Sequence, residues 1–302
     1  MEIGMIGLGK MGANMAERLL NGGHRVVVYD RNPEAITAVA EKGAIGVSSL
    51  EAMVEALEAP RDLWIMVPAG EPVDDTIRTL RPLLEAGDTI LDGGNSNYKD
   101  TMRRGKDLAA DGIHFVDVGT SGGVWGLAEG YSLMVGGDDV PVTRLKSIFE
   151  CLAPAADKGW GHVGPSGAGH FTKMIHNGIE YGMMQAYSEG FSILKHKKEL
   201  NLDLHQVAEI WRHGSVVRSW LLDLTANALE EDAELKDIAP WVSDSGEGRW
   251  TVAEAIDLDV PAPVATMALI ARLRSRDEES YSDRLLSAMR NQFGGHAIKK
   301  DS

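Results

Sequence analysis

The sequence is poor in cysteine, has no long apolar run, and carries fewer basic than acidic residues. Its one cysteine, Cys151, cannot form an internal disulfide, so we expect a reducing, cytoplasmic compartment. No stretch approaches the ~20 consecutive apolar residues of a membrane span, and a strand-like run directly after Glu2 predicts no secretory signal. The net charge of -15, from 30 Lys and Arg against 45 Asp and Glu, argues against nucleic acid or an anionic membrane as a partner.

Length and composition suit a two-domain globular protein. A chain of 302 residues fits two domains of ordinary size, and 44% apolar residues can fill a substantial core. An anionic substrate remains compatible with the negative net charge, because the field of the whole chain is screened beyond ~8 Å at physiological salt. Such a substrate would need a local cluster of basic side chains.

The chain begins with an apolar strand, a glycine-rich turn and a helix (EIGMIGLGKMGANMAERLL). Gly7 permits the tight turn, Gly9 lets a pyrophosphate approach the backbone, and Gly12 lets the helix pack on the strand. Because the GxGxxG pattern follows a strand and opens a helix, it predicts a dinucleotide-binding site. We expect this site to include Gly7, Leu8, Gly9, Lys10, Met11 and Gly12.

The end of the second strand bears on the choice of dinucleotide. This strand, residues 25–29, ends at Asp30, whose carboxylate would accept hydrogen bonds from both ribose hydroxyls of NAD and repel the 2'-phosphate of NADP. Arg31 could instead bind that phosphate, or it could be a solvated turn residue. We expect NAD as the cofactor, with NADP as the alternative.

Strands and helices alternate over the first half of the chain. Strand-like runs lie at residues 44–47, 62–67, 89–92, 114–118, 131–137 and 160–163, and helix-like runs lie at residues 33–42, 50–57, 73–84, 100–110 and 140–152. This alternation predicts an α/β fold with a parallel, doubly wound, Rossmann-like sheet, in which ligands bind beyond the carboxyl ends of the strands.

Three glycine-containing loops follow predicted strands at that edge: residues 67–70 (VPAG), 92–96 (DGGNS) and 119–123 (GTSGG). Glycine lets the backbone come close to a ligand, and Asn95 and Ser121 offer neutral hydrogen bonds. Each loop alone could be a plain turn, but three at one edge of the sheet favour a binding site.

After Pro165 the pattern becomes helical throughout, and we place a domain boundary there. Residues 1–165 are predicted to form the dinucleotide-binding domain and residues 166–302 an all-α substrate and oligomerisation domain. The second domain is expected to be built on a long helix that ends near Lys198. Shorter helices are predicted at residues 204–213, 219–229, 251–256, 264–276 and 282–292.

The long helix carries an unusual polar face within residues 167–187 (GAGHFTKMIHNGIEYGMMQAY). Five polar side chains follow one another at spacings of three, four, seven and eight residues from the first, so they lie on one face of the helix. They are Lys173, His176, Asn177, Glu180 and Tyr181. The face could be an exposed surface with an incidental Lys-Glu pair, or it could be catalytic.

These motifs together resemble those of the decarboxylating 6-phosphogluconate dehydrogenases of the short-chain type, within the β-hydroxyacid dehydrogenase superfamily. GLGKMG resembles the family's dinucleotide loop, DGGNS its cofactor and substrate loop, and TSGGVWG its substrate loop. GHFTKMIHNGIEYG is close to the family signature, and RNQFGGH resembles its C-terminal substrate motif. The broader superfamily shares only the glycines, the lysine and the asparagine, so His176, Glu180, Tyr181 and DGGNS indicate the 6-phosphogluconate branch.

The resemblance implies oxidative decarboxylation of 6-phospho-D-gluconate to D-ribulose 5-phosphate and CO2. Lys173 would be the general base at the carbon-3 hydroxyl, which requires a neutral amine, and Asn177 would hold the carbon-3 oxygen. Glu180 would protonate carbon 1 of the enediol. No metal is needed, because the keto group beside the carboxylate serves as the electron sink. Val67 and Asn95 are further expected cofactor contacts, and the expected substrate contacts are Asn95, Ser121, Gly122, Gly123, His176, Asn177, Tyr181, Arg290 and His296.

The phosphate-binding end departs from the family pattern. Ser245 stands where long-chain members have a lysine, and Arg249 is the basic residue of the following motif. The family arginine after an Ala-Arg helix has three candidate counterparts, Arg272, Arg274 and Arg276. The resemblance also implies a homodimer or homotetramer in which the tail reaches a neighbouring subunit's site.

Two other functions are considered. A related β-hydroxyacid dehydrogenase could act on a small unphosphorylated acid, in the manner of 3-hydroxyisobutyrate, but Glu180 and Arg290 would then have little purpose. A non-enzymatic dinucleotide-binding protein is the third hypothesis. The intact set of Lys173, Asn177 and Glu180 argues against it.

Overall fold

The computed structural model describes residues 1–294 and 297–299. The chain forms two compact units, Met1–Asn177 and Gly178–Ser302. The first is α/β and the second is helical, so the predicted fold class is confirmed. The predicted domain division between residues 165 and 166 stays a prediction.

One eight-stranded sheet organises the first unit, in the order β3-β2-β1-β4-β5-β6-β7-β8. The order doubles back at β1, so the carboxyl ends of β1 and β4 meet where a doubly wound sheet binds its ligand. The strands are β1 Glu2–Ile6, β2 Arg25–Tyr29, β3 Ile45–Gly46, β4 Asp62–Ile65, β5 Thr89–Asp92, β6 His114–Ser121, β7 Ser132–Gly136 and β8 Trp160–Gly164.

The sheet is mixed, and the prediction of a wholly parallel sheet was wrong at β7. Strand β7 pairs antiparallel with β6, whereas β8 pairs parallel with β7. The physical reason is the short return between β6 and β7, residues 122–131, because a parallel neighbour needs a crossover of about a dozen residues or more. Strand β6 also extends three residues beyond its predicted end, so the first three residues of the predicted loop 119–123 lie in the strand.

Eight helices accompany the strands in the described part of the first unit, before the long helix. They are α1 Lys10–Asn21, α2 Pro33–Ala40, α3 Leu50–Ala56, α4 Glu71–Leu80, α5 Tyr98–Ala109, α6 Gly126–Glu129, α7 Asp139–Arg144 and α8 Lys146–Leu152. The single helix predicted at residues 140–152 is therefore two helices, which meet at Leu145 with φ -82° and ψ 1°.

The long helix is α9, Ala168–His196, and it passes from the first compact unit into the second. The second unit continues with shorter helices, whose ends differ from the predicted ones by a few residues. They are α10 Leu204–Arg212, α11 Trp220–Glu231, α12 Glu247–Asp257, α13 Pro263–Arg274 and α14 Tyr281–Gly294.

Two apolar clusters hold the helices of the first unit to the sheet. One includes Met15 and Leu19 of α1 with Phe149 of α8, and the other includes Met53 of α3 and Leu80 of α4. All five side chains are fully buried. Burial of side chains of this size contributes about 1.5–3 kcal/mol each, so the cores fix the strand ends from which the loops emerge.

A buried carboxylate fixes the start of α9. Asp117 lies in β6 and is fully buried, and its two carboxylate oxygens accept hydrogen bonds from Gly167 N (2.7 Å) and His170 N (2.8 Å). These amides belong to the first turn of a helix, where no intrahelical acceptor exists and the helix dipole favours an anion. Asp117 therefore ties the beginning of α9 to the sheet.

Glycines let α9 approach the sheet closely. A methyl group added at Gly119 of β6 would lie 2.4 Å from Lys173 Cβ, and one added at Gly169 would lie 2.4 Å from Met134 O in β7. Both distances are far shorter than a carbon contact, so no larger residue fits without moving the helix. The backbone of β6 thus lies directly against Lys173.

We predict that Asp117→Ala lowers the free energy of unfolding by about 1–3 kcal/mol, because two buried amides of α9 lose their acceptor. Urea denaturation followed by circular dichroism measures this change. The control is Asp139→Ala at the start of α7, whose side chain is 92% exposed. Equal effects of the two substitutions would contradict the prediction.

Candidate active site

The glycine-rich turn has the geometry that a dinucleotide requires. Gly7 has a positive φ of 94°, and a methyl group there would lie 2.6 Å from Met66 O. A methyl group at Gly12 would lie 2.0 Å from Gly7 O, so this glycine lets α1 pack against the turn. Gly9 caps α1 and has nothing within 4 Å of its Cβ position, which leaves space for a phosphate at the helix N-terminus.

Asp30 is anchored to the same turn. Its carboxylate accepts hydrogen bonds from Leu8 N (2.6 Å) and Asn32 N (2.7 Å), one on each oxygen. A carboxylate has about four acceptor positions, so capacity for ribose hydroxyls remains. The side chain of Leu8 is buried, whereas Lys10 is exposed and Met11 half-buried at the start of α1.

A cleft of ≈ 700 Å³ lies along this turn and brings several predicted residues together. Gly7, Gly9, Asp30, Arg31 and Val67 all line it. The other charged residues of its lining are Glu51, Glu71 and Asp75. Four carboxylates face one guanidinium, so the local charge disfavours an additional phosphate group.

Asn95, in the loop after β5, bonds to the backbone of β6. It has a left-handed φ of 53°, and its amide donates to Thr120 O (3.1 Å) while accepting from Thr120 N (2.9 Å). The side chain thus reproduces one rung of a β-ladder and links two of the predicted binding loops. One amide hydrogen and one oxygen lone pair stay available for a ligand.

A buried arginine joins the loops after β4 and β5. Arg104 of α5 donates to both carboxylate oxygens of Asp74 (2.9 and 3.0 Å), to Asp92 Oδ2 (3.3 Å), to Ser96 Oγ (3.1 Å) and to Gly70 O (3.0 Å). All five N–H groups of the guanidinium are used. Hydrogen bonding to Arg104 lowers the pKa of Asp74 to about 2, against the opposing effect of burial, so this carboxylate stays ionised at neutral pH.

Arg104 and Asp117 were not found from the sequence. The signal for Asp117 was a charged residue within the apolar strand HFVDV, where only a paired carboxylate is tolerated. Arg104 gave a weaker signal, as one of two adjacent arginines on a predicted helix. Its burial depends on acceptors contributed by distant segments, which no local pattern reveals.

The substrate loop predicted from GTSGG begins at the end of β6. Ser121 is the last residue of the strand and is half-buried, Gly122 has φ 137°, and Gly123 has φ 51°. Nothing lies within 4 Å of the Cβ position of Gly123. The backbone here is open on one side and holds conformations that favour glycine.

On α9, Lys173, His176 and Asn177 form a connected group. Lys173 is 5% exposed, and its Nζ lies 3.4 Å from His176 Nδ1. That nitrogen lies 2.9 Å from Asn177 Oδ1, and Asn177 is also buried. A buried amine, an imidazole and an amide in contact can hold and move a proton, which excludes the interpretation of this part of the face as a solvated surface.

The second unit contains the remaining predicted residues of α9. Glu180 is half-buried and Tyr181 is buried. The Tyr181 hydroxyl lies 3.2 Å from Ser245 Oγ and accepts from Ser245 N at the same distance. The guanidinium carbon of Arg272 lies 3.6 Å from the centre of the Tyr181 ring, a close cation–π contact.

The three arginines left open by the sequence differ in their surroundings. Arg272 lies on Tyr181 and donates to Ser243 O (2.8 Å), whereas Arg274 pairs with Asp283. Arg276 and Arg249 both pair with Asp244, at 3.3 and 2.6 Å.

The tail residues of the prediction lie in or after α14. Arg290 is exposed on this helix, whereas His296 lies outside the described residues. Over residues 1–294 and 297–299, no group of three or more His, Cys, Asp or Glu side chains could hold a metal ion. Within the same residues, no helix has the length and apolar character needed to cross a membrane.

Family models match both halves of the chain. Residues 2–162 match the NAD binding domain of 6-phosphogluconate dehydrogenase, and residues 169–291 match the 6-phosphogluconate dehydrogenase, C-terminal domain.

Individual relatives agree with these matches. A Haloferax volcanii protein named NAD(+)-dependent, decarboxylating 6-phosphogluconate dehydrogenase is 42% identical over 301 residues, 99% of each chain. The Plasmodium falciparum 6-phosphogluconate dehydrogenase structure is 32% identical with a TM-score of 0.84, and the match covers 100% of this chain and 66% of the Plasmodium chain. A Mycobacterium tuberculosis 3-hydroxyisobutyrate dehydrogenase, at 21% identity and a TM-score of 0.74 over 92% of this chain and 94% of its own, shares the fold. This chain therefore belongs to the 6-phosphogluconate dehydrogenase family.

Proposed function

We propose that this protein oxidatively decarboxylates 6-phospho-D-gluconate to D-ribulose 5-phosphate and CO2, with NAD as its preferred hydride acceptor and NADP as the alternative. The observation that carries the proposal is the buried amine of Lys173, which lies against β6 in contact with His176. Its relatives are named for the same substrate and for a decarboxylating dehydrogenase, which supports this reaction.

The first step is oxidation at carbon 3. NAD(P), bound at the turn of residues 7–12 and along the cleft with Asp30, would supply the hydride acceptor. Lys173 would take the proton of the carbon-3 hydroxyl as the hydride leaves, and the burial of its side chain favours the neutral amine that this requires. Asn177 would hold the same oxygen, and His176 a neighbouring hydroxyl.

The second step is loss of CO2 from the resulting 3-keto acid. The electrons of the broken carbon–carbon bond move to the carbon-3 oxygen, where the protonated Lys173 returns its proton. Glu180, seven residues further along α9, would then protonate carbon 1 of the enediol while the neutral Lys173 takes the proton of the enol hydroxyl, which leaves the ketone of ribulose 5-phosphate. Asn95, Ser121, Gly122 and Gly123 would orient the carboxylate and hydroxyls from the loops after β5 and β6.

We assign the phosphate to Tyr181 and Arg272. Both lie in the second unit, where the ring of Tyr181 supports the guanidinium and Ser245 approaches the phenol hydroxyl. Arg274 is engaged by Asp283, and Arg276 and Arg249 share Asp244, so Arg272 is the arginine best suited to a phosphate.

Glu180→Gln is predicted to lower the turnover of 6-phosphogluconate by about 10²–10⁴-fold, because carbon 1 of the enediol loses its proton donor. Ribulose 5-phosphate formation and NADH absorbance measure this loss. The matched control is Glu189→Gln, an exposed carboxylate on the same helix.

A related dehydrogenase for small unphosphorylated acids predicts a different result. Such an enzyme would need no proton donor at this position, so Glu180→Gln would leave its turnover nearly unchanged. An unaltered protein that produces no NAD(P)H with any of a panel of 3-hydroxy acids would instead favour a non-enzymatic dinucleotide-binding function.

The unaltered protein is predicted to have a higher kcat/KM with NAD than with NADP, because Asp30 and the other carboxylates of the cleft repel a 2'-phosphate. Steady-state kinetics with each cofactor test this. Asp30→Ser should lower the ratio of kcat/KM with NAD to kcat/KM with NADP by about tenfold, the equivalent of about 1.4 kcal/mol. Arg31→Gln is the control and should leave NAD kinetics unchanged; a strong preference of the unaltered protein for NADP would contradict the prediction.

We also propose a homodimer or homotetramer that works in the cytoplasm. The second unit exposes large apolar side chains in numbers that favour an interface between chains. They include Ile179, Ile193, Val264, Met267, Leu286 and Met289. Arg290, exposed on α14, would reach the substrate of a neighbouring subunit together with His296.

Size-exclusion chromatography with light scattering is expected to give a dimer or tetramer, and Arg290→Met is expected to raise the KM for 6-phosphogluconate by about tenfold, since an arginine–phosphate contact is lost. Arg284→Met on the same helix serves as the control. A monomer with full activity would contradict this arrangement.

A further inference from the structure

Arg18, near the end of α1, directs its guanidinium at three backbone carbonyls that are distant in sequence. Its Nε donates to Cys151 O (3.0 Å), Nη1 to Leu127 O (3.0 Å) and Nη2 to Ala153 O (2.7 Å). The side chain is half-buried. One charged group on the dinucleotide-binding helix thus joins two other segments of the chain.

Two of these carbonyls lie at the C-terminus of α8. Cys151 is in its last turn and Ala153 is its C-cap, so both carbonyls lack intrahelical partners. A cation at a helix C-terminus is favourable, which explains why the guanidinium is stable there on carbonyl acceptors. Arg18 is therefore firmly held from the side of α8.

The third carbonyl belongs to α6, which follows the substrate loop directly. A helix of four residues, Gly126–Glu129, has no stability of its own, so contacts with the rest of the protein must set its position. The bond from Arg18 to Leu127 O is such a contact.

The loop and the first residue of α6 also pack against the ring of Tyr131. A methyl group at Gly126 would lie 2.0 Å from Tyr131 Cε1, and one at Gly122 would lie 3.1 Å from Cδ1. Tyr131 is fully buried, and burial raises the pKa of its phenol to about 12, so the ring stays neutral. Its hydroxyl has no hydrogen-bond partner within the described residues, so the ring is the part that supports the loop.

We propose that Arg18 is a positioning residue for the substrate loop, residues 121–125. It contacts neither substrate nor cofactor; it holds α6, and through it Ser121, Gly122 and Gly123, at a fixed place relative to α1. The dinucleotide turn lies at the other end of α1 and is held independently by Asp30. The effect expected on the KM for 6-phosphogluconate rests on the proposed function.

The test compares Arg18→Met with Gly126→Ala, which disturb α6, and with it the substrate loop, at two separate contacts. Both are expected to raise the KM for 6-phosphogluconate by about tenfold or more, since a misplaced binding group costs heavily, while the KM for NAD stays within about twofold. Arg18→Lys keeps the charge but cannot donate to all three carbonyls with the geometry of a guanidinium. Its KM for 6-phosphogluconate should therefore lie between those of the unaltered protein and of Arg18→Met.

Two control variants separate positioning from general destabilisation. Arg144→Met removes another half-buried arginine, which binds Asp62 and Gly87 O away from the loop, and should leave both KM values unchanged. Tyr131→Phe removes only the hydroxyl, which has no hydrogen-bond partner among the described residues, and should leave both KM values as in the unaltered protein. If Arg18→Met raises both KM values equally, or matches Arg144→Met, the proposal is wrong.

Hydrogen–deuterium exchange gives a second readout that does not need turnover. Arg18→Met should speed exchange in residues 122–130 and leave residues 7–13 unchanged; unchanged exchange in residues 122–130 would overturn the proposal even if the variant folds poorly elsewhere. Inactivity of the unaltered protein with 6-phosphogluconate would contradict the proposed function alone, and the exchange measurement would still test the role of Arg18.

Discussion

The buried carboxylate of Asp117 is the constraint on which the arrangement of the site depends. It accepts the amides that begin α9, so the helix must start at β6 and nowhere else along the sheet. The glycine contacts at Gly119 and Gly169 then bring the helix against the strand backbone. Lys173 follows one turn later, buried against β6, because the register of a helix is fixed once its first turn is fixed. A capping interaction in the fold thus sets the depth of the proposed base.

Arginines inside the first unit extend this organisation to the loops. Arg104 joins the loops after β4 and β5, and Arg18 joins α1 to the helix after the substrate loop. Each guanidinium bonds acceptors from several segments, for which its rigid, planar set of donors is better suited than an ammonium. A chain with a net charge of -15 therefore uses these cations as internal links, while the cofactor cleft stays acidic. In the second unit, Arg272 on the ring of Tyr181 is a basic group that we assign to the anionic substrate.

Much of this could be predicted from the sequence because it is locally encoded. Gly7, Gly9 and Gly12 identify the dinucleotide turn, because each meets a different steric requirement of that turn. The spacing of Lys173 and Asn177 places them on one face of a helix. The reversal of β7 was missed because strand direction depends on the length of the return and not on strand composition. The two hydrogen bonds of Asn95 with Thr120 and the five hydrogen bonds of Arg104 were missed for a related reason. They join residues far apart in sequence, and the local sequence around a polar residue does not show which distant group it will bond.

The fold alone does not select the reaction, so the proposed function depends on the residues of α9. A 3-hydroxyisobutyrate dehydrogenase shares this architecture at 21% identity, so the sheet, the long helix and the dinucleotide turn are common to both hypotheses. Oxidation of a β-hydroxy acid requires a base and a group that holds one oxygen, the roles we propose for Lys173 and Asn177. Decarboxylation adds a carbon that must be protonated, and a phosphorylated substrate adds a dianion that must be held. In the proposed assignment Glu180 would protonate that carbon, and Tyr181, with Arg272 on its ring, would hold the dianion; a small unphosphorylated acid would need none of the three.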